Sequence, residues 1–549
     1  MFPLRNISFT HWHGHLMDMF GEIEYDKIGY SQTKSLILVQ LLSLLFLICN
    51  NRCNFYTTAI PQRANEPWSV ILCKFADTAE YEPQTREWYQ KWMTGPSEDT
   101  IAKYFMNVSN GIYTIKGTKV FGWFTLPWTV KQVKLMALMD RTLWNNDNIS
   151  LVFFIKAKQL CIKLAAEKVN LNKRKITILN TEHGAMYGKE DGVLITPQLS
   201  FNSVLTHEMV HSFYIGHSYS DRQIIIFPFA HMGEYGDRYD LMSTANAWMY
   251  MSQYGLSGPG LNGPHLDYLG WLPSNRILYF GRDGKSNSIV RLSSLSIPHS
   301  WSNDWLLIMI PYDKNNPANV FTLEFRTPVN YDSGIAQEAI VIHKVNRRGT
   351  NYYSTIVTHS QDYDEMIAGT EWIHFLEQDN PKIYQTIKIR VERIDKQRHI
   401  AILQINSTFN PISCRHLIND TNEMNYNRTL IETYTKESTK ILRCERKKFF
   451  KNLATFGMNA CHNGYVWRMI DPYDYACVTK KRQQQIQNQR NIRNRRGNCR
   501  KPLMLRKAFP TDNACVTQEE FAITQQENAE SYKNMKYYSF ISGEETIQP

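Results

Sequence analysis

The segment THEMVHSFYIGH carries three histidines and a glutamate whose spacing suits a metal site. His207 and His211 are four residues apart, so a helix would project both imidazoles from one face. Glu208 follows the first histidine, where its carboxylate would lie beside a bound metal without needing to bind it. A zinc ion held by neutral imidazoles lowers the pKa of a bound water to about 7. A neighbouring carboxylate can take a proton from that water and pass it to a leaving amine. The spacing therefore predicts a catalytic zinc site with Glu208 as general base.

The third ligand is less directly indicated by the residues. A catalytic zinc takes three protein ligands and keeps a fourth position open. We predict His217 as the third ligand, because it follows His211 by six residues and Gly216 would let the chain turn back. Glu234 is an alternative third ligand, but that choice leaves His217 without a role. A second alternative is a helix whose histidines are ordinary surface or core groups, since short motifs match by chance.

HEMVHSFYIGH resembles the zinc motif of the metzincin metallopeptidases, whose third histidine stands at this same offset. Metzincins also have a methionine in a tight turn beneath the zinc, and GEYGDRYDLMS offers Met242 in that role. Together with GPGLNGPHLDYLGWL (258–272), this segment looks like the gametolysin-like branch of secreted metzincins. The resemblance covers about 67–407 in scattered blocks and is most specific over 207–242. It implies an α/β (α+β) catalytic domain with a mixed twisted sheet and an active-site helix, one catalytic Zn²⁺, and hydrolysis of peptide bonds.

One residue departs from the family pattern. Metzincins normally have glycine at the position of Tyr214, because the turn after the helix needs a backbone with positive φ. A bulky residue in such a turn costs about 1–2 kcal/mol. We therefore expect either a turn rebuilt around Gly216 or a distorted site, and we expect metal binding to survive this change more easily than full activity.

The residues around the motif predict an α/β domain over 65–275. Helical apolar spacing predicts a helix over 151–168, and alternation around glycines predicts a hairpin over 109–127. Short apolar runs predict strands at PWSVILCKF (67–75), KITILNT (175–181) and GVLITP (192–197). By the family resemblance, HGAMYGKEDG (183–192) would lie along the cleft as the edge region where an extended substrate adds a strand, and an ordinary connecting loop is the alternative.

Two further regions follow the α/β domain. Repeated β-type runs separated by turns predict an all-β sandwich over 276–407. A small Cys-rich tail is predicted over 410–549, with two repeats (461–479 and 499–517) that share seven residue types at matching offsets. Each repeat is too small for its own core, so one disulfide within each is the natural constraint. The proposed pairs are Cys461–Cys477 and Cys499–Cys515, with Cys414–Cys444 as a weaker suggestion.

The N-terminus, the cysteines and the sequons predict a secreted protein. Residues 1–50 form a leader whose apolar run LILVQLLSLLFLI (36–48) has the length of a signal-peptide core. The run is too short for a stable membrane span, although a signal anchor is the alternative to a cleaved signal. Five candidate glycosylation sites fit the same route, namely Asn107, Asn148, Asn406, Asn419 and Asn427.

The chain is basic, with a net charge of +11 that favours contact with acidic surfaces. The run 480–501 contains basic residues and no acidic ones, and it links the two repeats. It is a candidate contact for acidic glycan or matrix, and a solvated linker is the alternative interpretation. Nucleic acid is not expected as a partner, because the chain has no recognition motif for it.

These observations together favour a secreted zinc-dependent endopeptidase that acts on extracellular or matrix proteins. His207, His211 and His217 would hold the Zn²⁺, Glu208 would activate the water, and Met242 would support the site from beneath. The alternative from another class is a catalytically inactive metalloprotease-like protein that binds extracellular glycan or matrix through its repeats and basic run.

Overall fold

The computed structural model of the chain describes residues 64–535, apart from several segments within that span. Those segments are 144–148, 183, 189–191, 283–285, 314–315, 317, 349–350, 358–363, 377–384, 410–460, 488–491 and 494–498. The described residues belong to one compact unit over Thr58–Phe540. The predicted leader and the pair Cys414 and Cys444 lie outside the described residues. Among those that are described, no helix combines the length and the apolar character needed to span a bilayer.

The fold is mixed α/β, as predicted, and its first part is built on a five-stranded sheet. The strands are β1 (Trp68–Lys74), β2 (Lys119–Thr125), β3 (Arg174–Leu179), β4 (Ala185–Gly188) and β5 (Gly192–Ile195). Their order is β2-β1-β3-β5-β4, and only β4 is antiparallel to its neighbour. The first six residues of β1 are buried, as a central strand covered on both faces must be. The three predicted strands of this region are therefore confirmed, and the segment 183–192 supplies the edge strand β4.

Six helices lie in the described part of this region. They are α1 (Arg86–Thr94), α2 (Ile101–Val108), α3 (Val130–Met139), α4 (Ile149–Ala166), α5 (Asn202–His211) and α6 (Gly263–Tyr268). The helix predicted over 151–168 is confirmed as α4. A disulfide between Cys73 of β1 and Cys161 of α4 ties this helix to the sheet. The sequence did not indicate this bond, because its two cysteines are 88 residues apart and belong to no repeat.

The predicted hairpin over 109–127 is wrong. The segment contains only β2, which pairs in parallel with β1. Residues 109–118 form turns in which Asn110 and Gly117 have positive φ. Tyr113 in this segment is buried, so the apolar alternation reflects buried turn residues rather than a second strand.

Two larger sheets make up the β-rich part of the chain. One has the order β6-β14-β13-β12-β11-β9 with β15 beside β13, and the other has the order β10-β18-β17-β16. The strands of the first are β6 (Tyr219–Ser220), β9 (Ile277–Tyr279), β11 (Leu307–Pro311), β12 (Val320–Arg326), β13 (Ala339–Arg348), β14 (Asn351–Ile356) and β15 (Glu365–Met366). Those of the second are β10 (Asn287–Ser293), β16 (Glu371–Phe375), β17 (Thr386–Asp395) and β18 (Ile400–Ser407). A small hairpin of β7 (Tyr250–Ser252) and β8 (Gly255–Ser257) lies apart from both.

The two larger sheets share one core. The Phe321 ring of β12 meets the Trp372 ring of β16 edge to face, with ring centroids 5.2 Å apart. Strand β6 lies just after the third histidine and pairs in parallel with β14. The seven-stranded sheet therefore runs across the predicted boundary at 275 and connects the histidine segment directly to the β-rich part.

The tail has the two predicted repeats and both predicted disulfides. Its strands are β19 (Tyr465–Trp467), β20 (Cys477–Thr479), β21 (Ile492–Arg493), β22 (Met504–Leu505) and β23 (Ala514–Val516), and its helices are α7 (Lys480–Gln487) and α8 (Gln518–Glu530). Cys461 is bonded to Cys477, and Cys499 to Cys515. Each repeat also buries an arginine in a two-pronged ion pair with an aspartate six residues later, Arg468–Asp474 and Arg506–Asp512. Two copies of one motif therefore fold alike.

Candidate metal centre

Helix α5 carries the first two histidines and is buried along almost its whole length, from Asn202 to Val210. Such a helix is fixed by contacts on several sides. Its first turn is anchored through Asn202, whose side-chain oxygen accepts a hydrogen bond from the Trp92 indole at 2.6 Å. The Ser203 hydroxyl donates to the carbonyl of Gly258 at 2.7 Å. These contacts fix the helix in an orientation in which the imidazoles of His207 and His211 project towards each other.

His207 and His211 face each other through their Nε2 atoms, which are 3.0 Å apart. The Nδ1 of His207 lies 3.2 Å from the Leu241 carbonyl, and the Nδ1 of His211 lies 2.8 Å from the Ile215 carbonyl. A carbonyl oxygen only accepts, so each Nδ1 carries the hydrogen and each neutral ring presents the lone pair of Nε2. Burial, followed by the neighbouring imidazoles, lowers the pKa of both rings, to about 4 for His211. Both rings are therefore neutral at physiological pH.

His217 completes the group from the chain segment after the helix. Its Nδ1 donates to the Glu234 carboxylate at 2.5 Å, and the other oxygen of Glu234 accepts from the backbone N–H of His231 at 2.7 Å. Burial lowers the pKa of His217 more than Glu234 raises it. Glu234 thus lies behind the third imidazole and orients it, as outer-shell carboxylates do for metal-binding histidines. The three ligand atoms that lie close together belong to His207, His211 and His217, and none belongs to Glu234. The alternative in which Glu234 is the third ligand is therefore not the arrangement found.

The three imidazoles fit a metal ion. One ligand atom from each of His207, His211 and His217 lies within 4.8 Å of the others, and this is the only such group of His, Cys, Asp and Glu in the described part of the chain. Two lone pairs at 3.0 Å repel unless a cation lies between them. Burial disfavours a proton in that place, because it lowers the pKa of both rings. A set of three neutral imidazoles is the donor set of many zinc sites, including catalytic ones.

Glu208 lies one residue from His207 and is almost fully buried, with 9% of its surface exposed. Burial raises its pKa to about 8, although the charge of Lys158 acts in the opposite direction. A cation at the imidazoles would favour the ionised form of this carboxyl group, which could then take up and release a proton.

Met242 lies in a buried turn, Leu241–Ser243, that contacts α5. The turn touches the site through its backbone at two points. The Leu241 carbonyl orients His207, and the Met242 carbonyl accepts from the backbone N–H of Ser218 at 3.2 Å. The predicted methionine turn is thus brought to both ends of the histidine group.

The chain turns after α5 at Tyr214, which has a positive φ of 62°. Its backbone N–H donates to the His211 carbonyl at 3.0 Å and closes the helix end. Gly216 is not among the residues with positive φ. The expectation of a turn rebuilt around Gly216 is therefore wrong, because Tyr214 itself adopts the left-handed conformation, and Tyr214 is 54% exposed. The alternative expectation of a distorted site stays a prediction.

Tyr235 belongs to the site but was not singled out in the sequence. Its hydroxyl lies 3.0 Å from the Nε2 of His217, and the two rings have centroids 4.3 Å apart. Burial, and then the carboxylates of Glu234 and Glu208, raise its pKa, so the hydroxyl keeps its proton. The only sequence signal was an aromatic residue close to two glycines, in GEYGD.

A buried ionic network supports the segment between the third histidine and Met242. His343 of β13 lies 2.9 Å from Asp237, and Arg326 of β12 pairs with Glu324 at 3.0 Å and donates to the Tyr239 carbonyl at 2.7 Å. Burial alone lowers the pKa of His343, but the Asp237 and Glu324 carboxylates outweigh it and raise that pKa. Removing one partner of such a buried ion pair is strongly destabilising, because the remaining charge stays buried without compensation. The β-rich part therefore fixes the position of the segment between His217 and Met242.

The segment GPGLNGPHLDYLGWL joins the same network through α6. His265 lies 2.7 Å from Asp240, which also accepts a hydrogen bond from the Ser218 hydroxyl. Ser218 is the residue next to His217. The segments that carry the family resemblance are thus linked to each other through buried polar contacts.

Other predicted residues lie away from this centre. Asn107 and Asn406 are exposed, as glycosylation sites must be, whereas Asn148, Asn419 and Asn427 lie outside the described residues. The basic run 480–501 begins with helix α7. In that helix Arg482 pairs with Glu520 and Glu527 at 2.5 Å, so this cation is engaged within the tail.

No family model, curated protein or solved structure matches this chain.

Proposed function

We propose that this chain is a zinc-dependent endopeptidase of the metzincin type, similar to the gametolysin-like branch. The observation that carries the proposal is the pair of Nε2 lone pairs of His207 and His211 at 3.0 Å, with His217 completing the group. Each ring is held in the ligand tautomer by an acceptor on its Nδ1. Glu208 follows His207 directly in the sequence, and it is buried.

His207, His211 and His217 would hold the ion. A zinc ion at these imidazoles would polarise the scissile carbonyl and make water nucleophilic near neutral pH. Glu208 takes a proton from the water and later delivers it to the leaving nitrogen. The Tyr235 hydroxyl is a donor beside the third imidazole, and it can stabilise the negative charge that develops on the carbonyl oxygen.

An extended polypeptide is the substrate that suits the surroundings of these residues. Strand β4 is the edge strand of its sheet and contacts α5. An extended chain can add to such an edge through backbone hydrogen bonds, which are independent of side-chain identity. This geometry supports an endopeptidase that binds several residues on either side of the cleaved bond.

An oxidising compartment is part of the proposal. Three disulfides are present among the described residues, and disulfides persist in secreted and extracellular proteins. We therefore expect secretion and substrates among extracellular or matrix proteins. The engagement of Arg482 by two glutamates gives no specific support to a glycan-binding role for the basic run.

The proposal is tested by metal analysis of protein produced through a secretory route. We expect one zinc per chain in the wild type and cleavage of casein that stops with a zinc chelator and returns with added zinc. His211→Ala should lose the metal, because one of the three ligands is removed. His462→Ala is the matched control, since that histidine is exposed in the tail. Zinc at the same level in His211→Ala as in the wild type would contradict the assignment.

A further inference from the structure

Helix α3 presents large apolar side chains to solvent at its C-terminal end. Leu135, Leu138 and Met139 are 52%, 48% and 77% exposed. The second and third of these follow the first by three and four residues, so all three share one face of the helix. Single exposed apolar residues are common, but three at the end of one helix form a patch of the kind that marks a binding surface.

The opposite face and both ends of α3 are fixed, so the fold holds this patch outward. Val133 is buried on the opposite face. At the start of the helix, the N–H of Val130 donates to the Asp77 carboxylate at 3.0 Å. Directly after the helix, Asp140 forms an ion pair with Lys156 of α4 at 2.7 Å. Both carboxylates at the ends of α3 are thus engaged within the fold.

The apolar end of α3 is accompanied by positive charge. Lys131 and Lys134 are exposed, and they precede Leu138 by about two turns and one turn of the helix. Helices α3 and α4 together contain five lysines and no aspartate or glutamate. In α4, Lys158 is buried and Lys156 is paired, so the two lysines of α3 supply the charge beside the patch. A basic helix with an exposed apolar face is typical of a membrane-surface contact.

Helix α3 lies on the side of the five-stranded sheet that faces away from the metal centre. Ile71 and Cys73 of β1 pack in one apolar cluster with Val133 of α3. Leu72, between them, packs in the cluster that contains Leu205 of α5. Successive residues of a strand point to opposite faces of its sheet, so α3 and α5 cover opposite faces. A partner bound at the exposed face of α3 therefore need not cover the histidines.

We propose that the exposed face of α3 docks the protein onto a membrane that contains anionic phospholipids. The apolar end of the helix enters the boundary between headgroups and acyl chains, and the two lysines meet the phosphate groups. Charge alone would suit any polyanion, including a sulfated glycan. The exposed leucines and methionine beside the lysines favour lipid, because a glycan offers no apolar phase in which to bury them.

The test measures sedimentation of the protein with vesicles of phosphatidylcholine alone and of phosphatidylcholine mixed with phosphatidylserine. One double variant, Leu135→Ser with Met139→Ser, removes apolar surface. A second double variant, Lys131→Gln with Lys134→Gln, removes charge. All four side chains are exposed, so both variants should keep the thermal unfolding midpoint of the wild type.

Two control variants match these changes elsewhere on the surface. Ile289→Ser removes an exposed apolar side chain from β10 in the four-stranded sheet. The double variant Lys480→Gln with Lys481→Gln removes two exposed lysines from α7 in the tail. Neither change touches α3, so neither should alter sedimentation with the vesicles.

We expect the wild type to sediment with the vesicles that contain phosphatidylserine and not with phosphatidylcholine alone. Affinity should fall about tenfold or more in the apolar variant of α3 and roughly 10- to 30-fold in its lysine variant. No sedimentation of the wild type with the anionic vesicles would overturn the proposal, and so would an equal loss in the controls. Loss in the lysine variant with full binding by the apolar variant would assign the surface to a polyanion and overturn the membrane role.

Discussion

The left-handed turn at Tyr214 gives a prediction whose size follows from the structure. Tyr214 has a φ of 62° directly after the helix that carries His207 and His211, where glycine would be free of strain. We consider two substitutions, Tyr214→Gly and Tyr214→Ala. Both remove the ring, so the difference between them isolates the effect of the Cβ on the backbone conformation.

The magnitude comes from two opposing effects. A residue with a Cβ costs about 1–2 kcal/mol in the left-handed region. Glycine avoids this strain but loses about 0.5–1 kcal/mol more conformational freedom on folding than alanine. The free energy of unfolding of Tyr214→Gly should therefore exceed that of Tyr214→Ala by about 0.75 kcal/mol, the difference between the midpoints of these two ranges. The same pair of substitutions at Met251, an exposed residue of β7 without positive φ, should reverse the sign.

Urea denaturation of the metal-free proteins, followed by tryptophan fluorescence, measures these differences directly. The midpoint should be higher for glycine than for alanine at position 214 and lower for glycine at position 251. Equal midpoints for the two variants at position 214, or a higher one for alanine, would refute the assignment of the left-handed turn to Tyr214. A turn built around Gly216 would then be the better description.

Three further predictions concern the site and its scaffold. The Tyr235→Phe variant should bind as much zinc as the wild type, and its kcat should be roughly 10- to 100-fold lower with little change in KM, because a hydrogen-bond donor beside the reacting carbonyl is lost. An unchanged kcat would show that Tyr235 has no part in the mechanism. In the Glu208→Gln variant, which has no carboxyl group to titrate beside the site, zinc affinity should change little between pH 7.5 and 5, because burial lowers the pKa of all three ligand imidazoles, to about 4 for His211. One ordinary imidazole would instead reduce affinity roughly 30-fold at pH 5, so a steep loss beginning near pH 6.5 in zinc titrations would contradict this. Replacing both Cys73 and Cys161 with serine should lower the free energy of unfolding by about 4–5 kcal/mol, whereas the same change at Cys461 and Cys477 should lower it by roughly 3 kcal/mol, because the first bond closes the longer loop. Equal losses for the two pairs in denaturant titrations would count against this.

The sequence predicted the features that depend on local pattern. Buried apolar runs identified β1, β3 and β5, helical spacing identified α4, and the duplicated cysteines identified the bonds of the tail. The hairpin over 109–127 was wrong because buried residues in a turn can alternate in the same way as a strand. In that segment Tyr113 packs into the core from a turn and not from a strand.

The features that the sequence did not indicate depend on contacts between distant segments. Cys73 and Cys161 meet only because α4 packs on the sheet. Glu234 was assigned as an alternative ligand because its spacing allowed it, and only the fold shows its carboxylate on the far side of His217. The ionic contact between Asp237 and His343 joins residues that are 106 positions apart.

In the proposed mechanism, Glu208 acts as a base beside a bound metal. The most direct measurement is the zinc content and the rate of casein cleavage for wild type, Glu208→Gln and the exposed control Glu87→Gln. We expect one zinc per chain in all three proteins and a loss of cleavage of at least about 100-fold in Glu208→Gln alone. Full cleavage by zinc-loaded Glu208→Gln, or no zinc in the wild type, would contradict it.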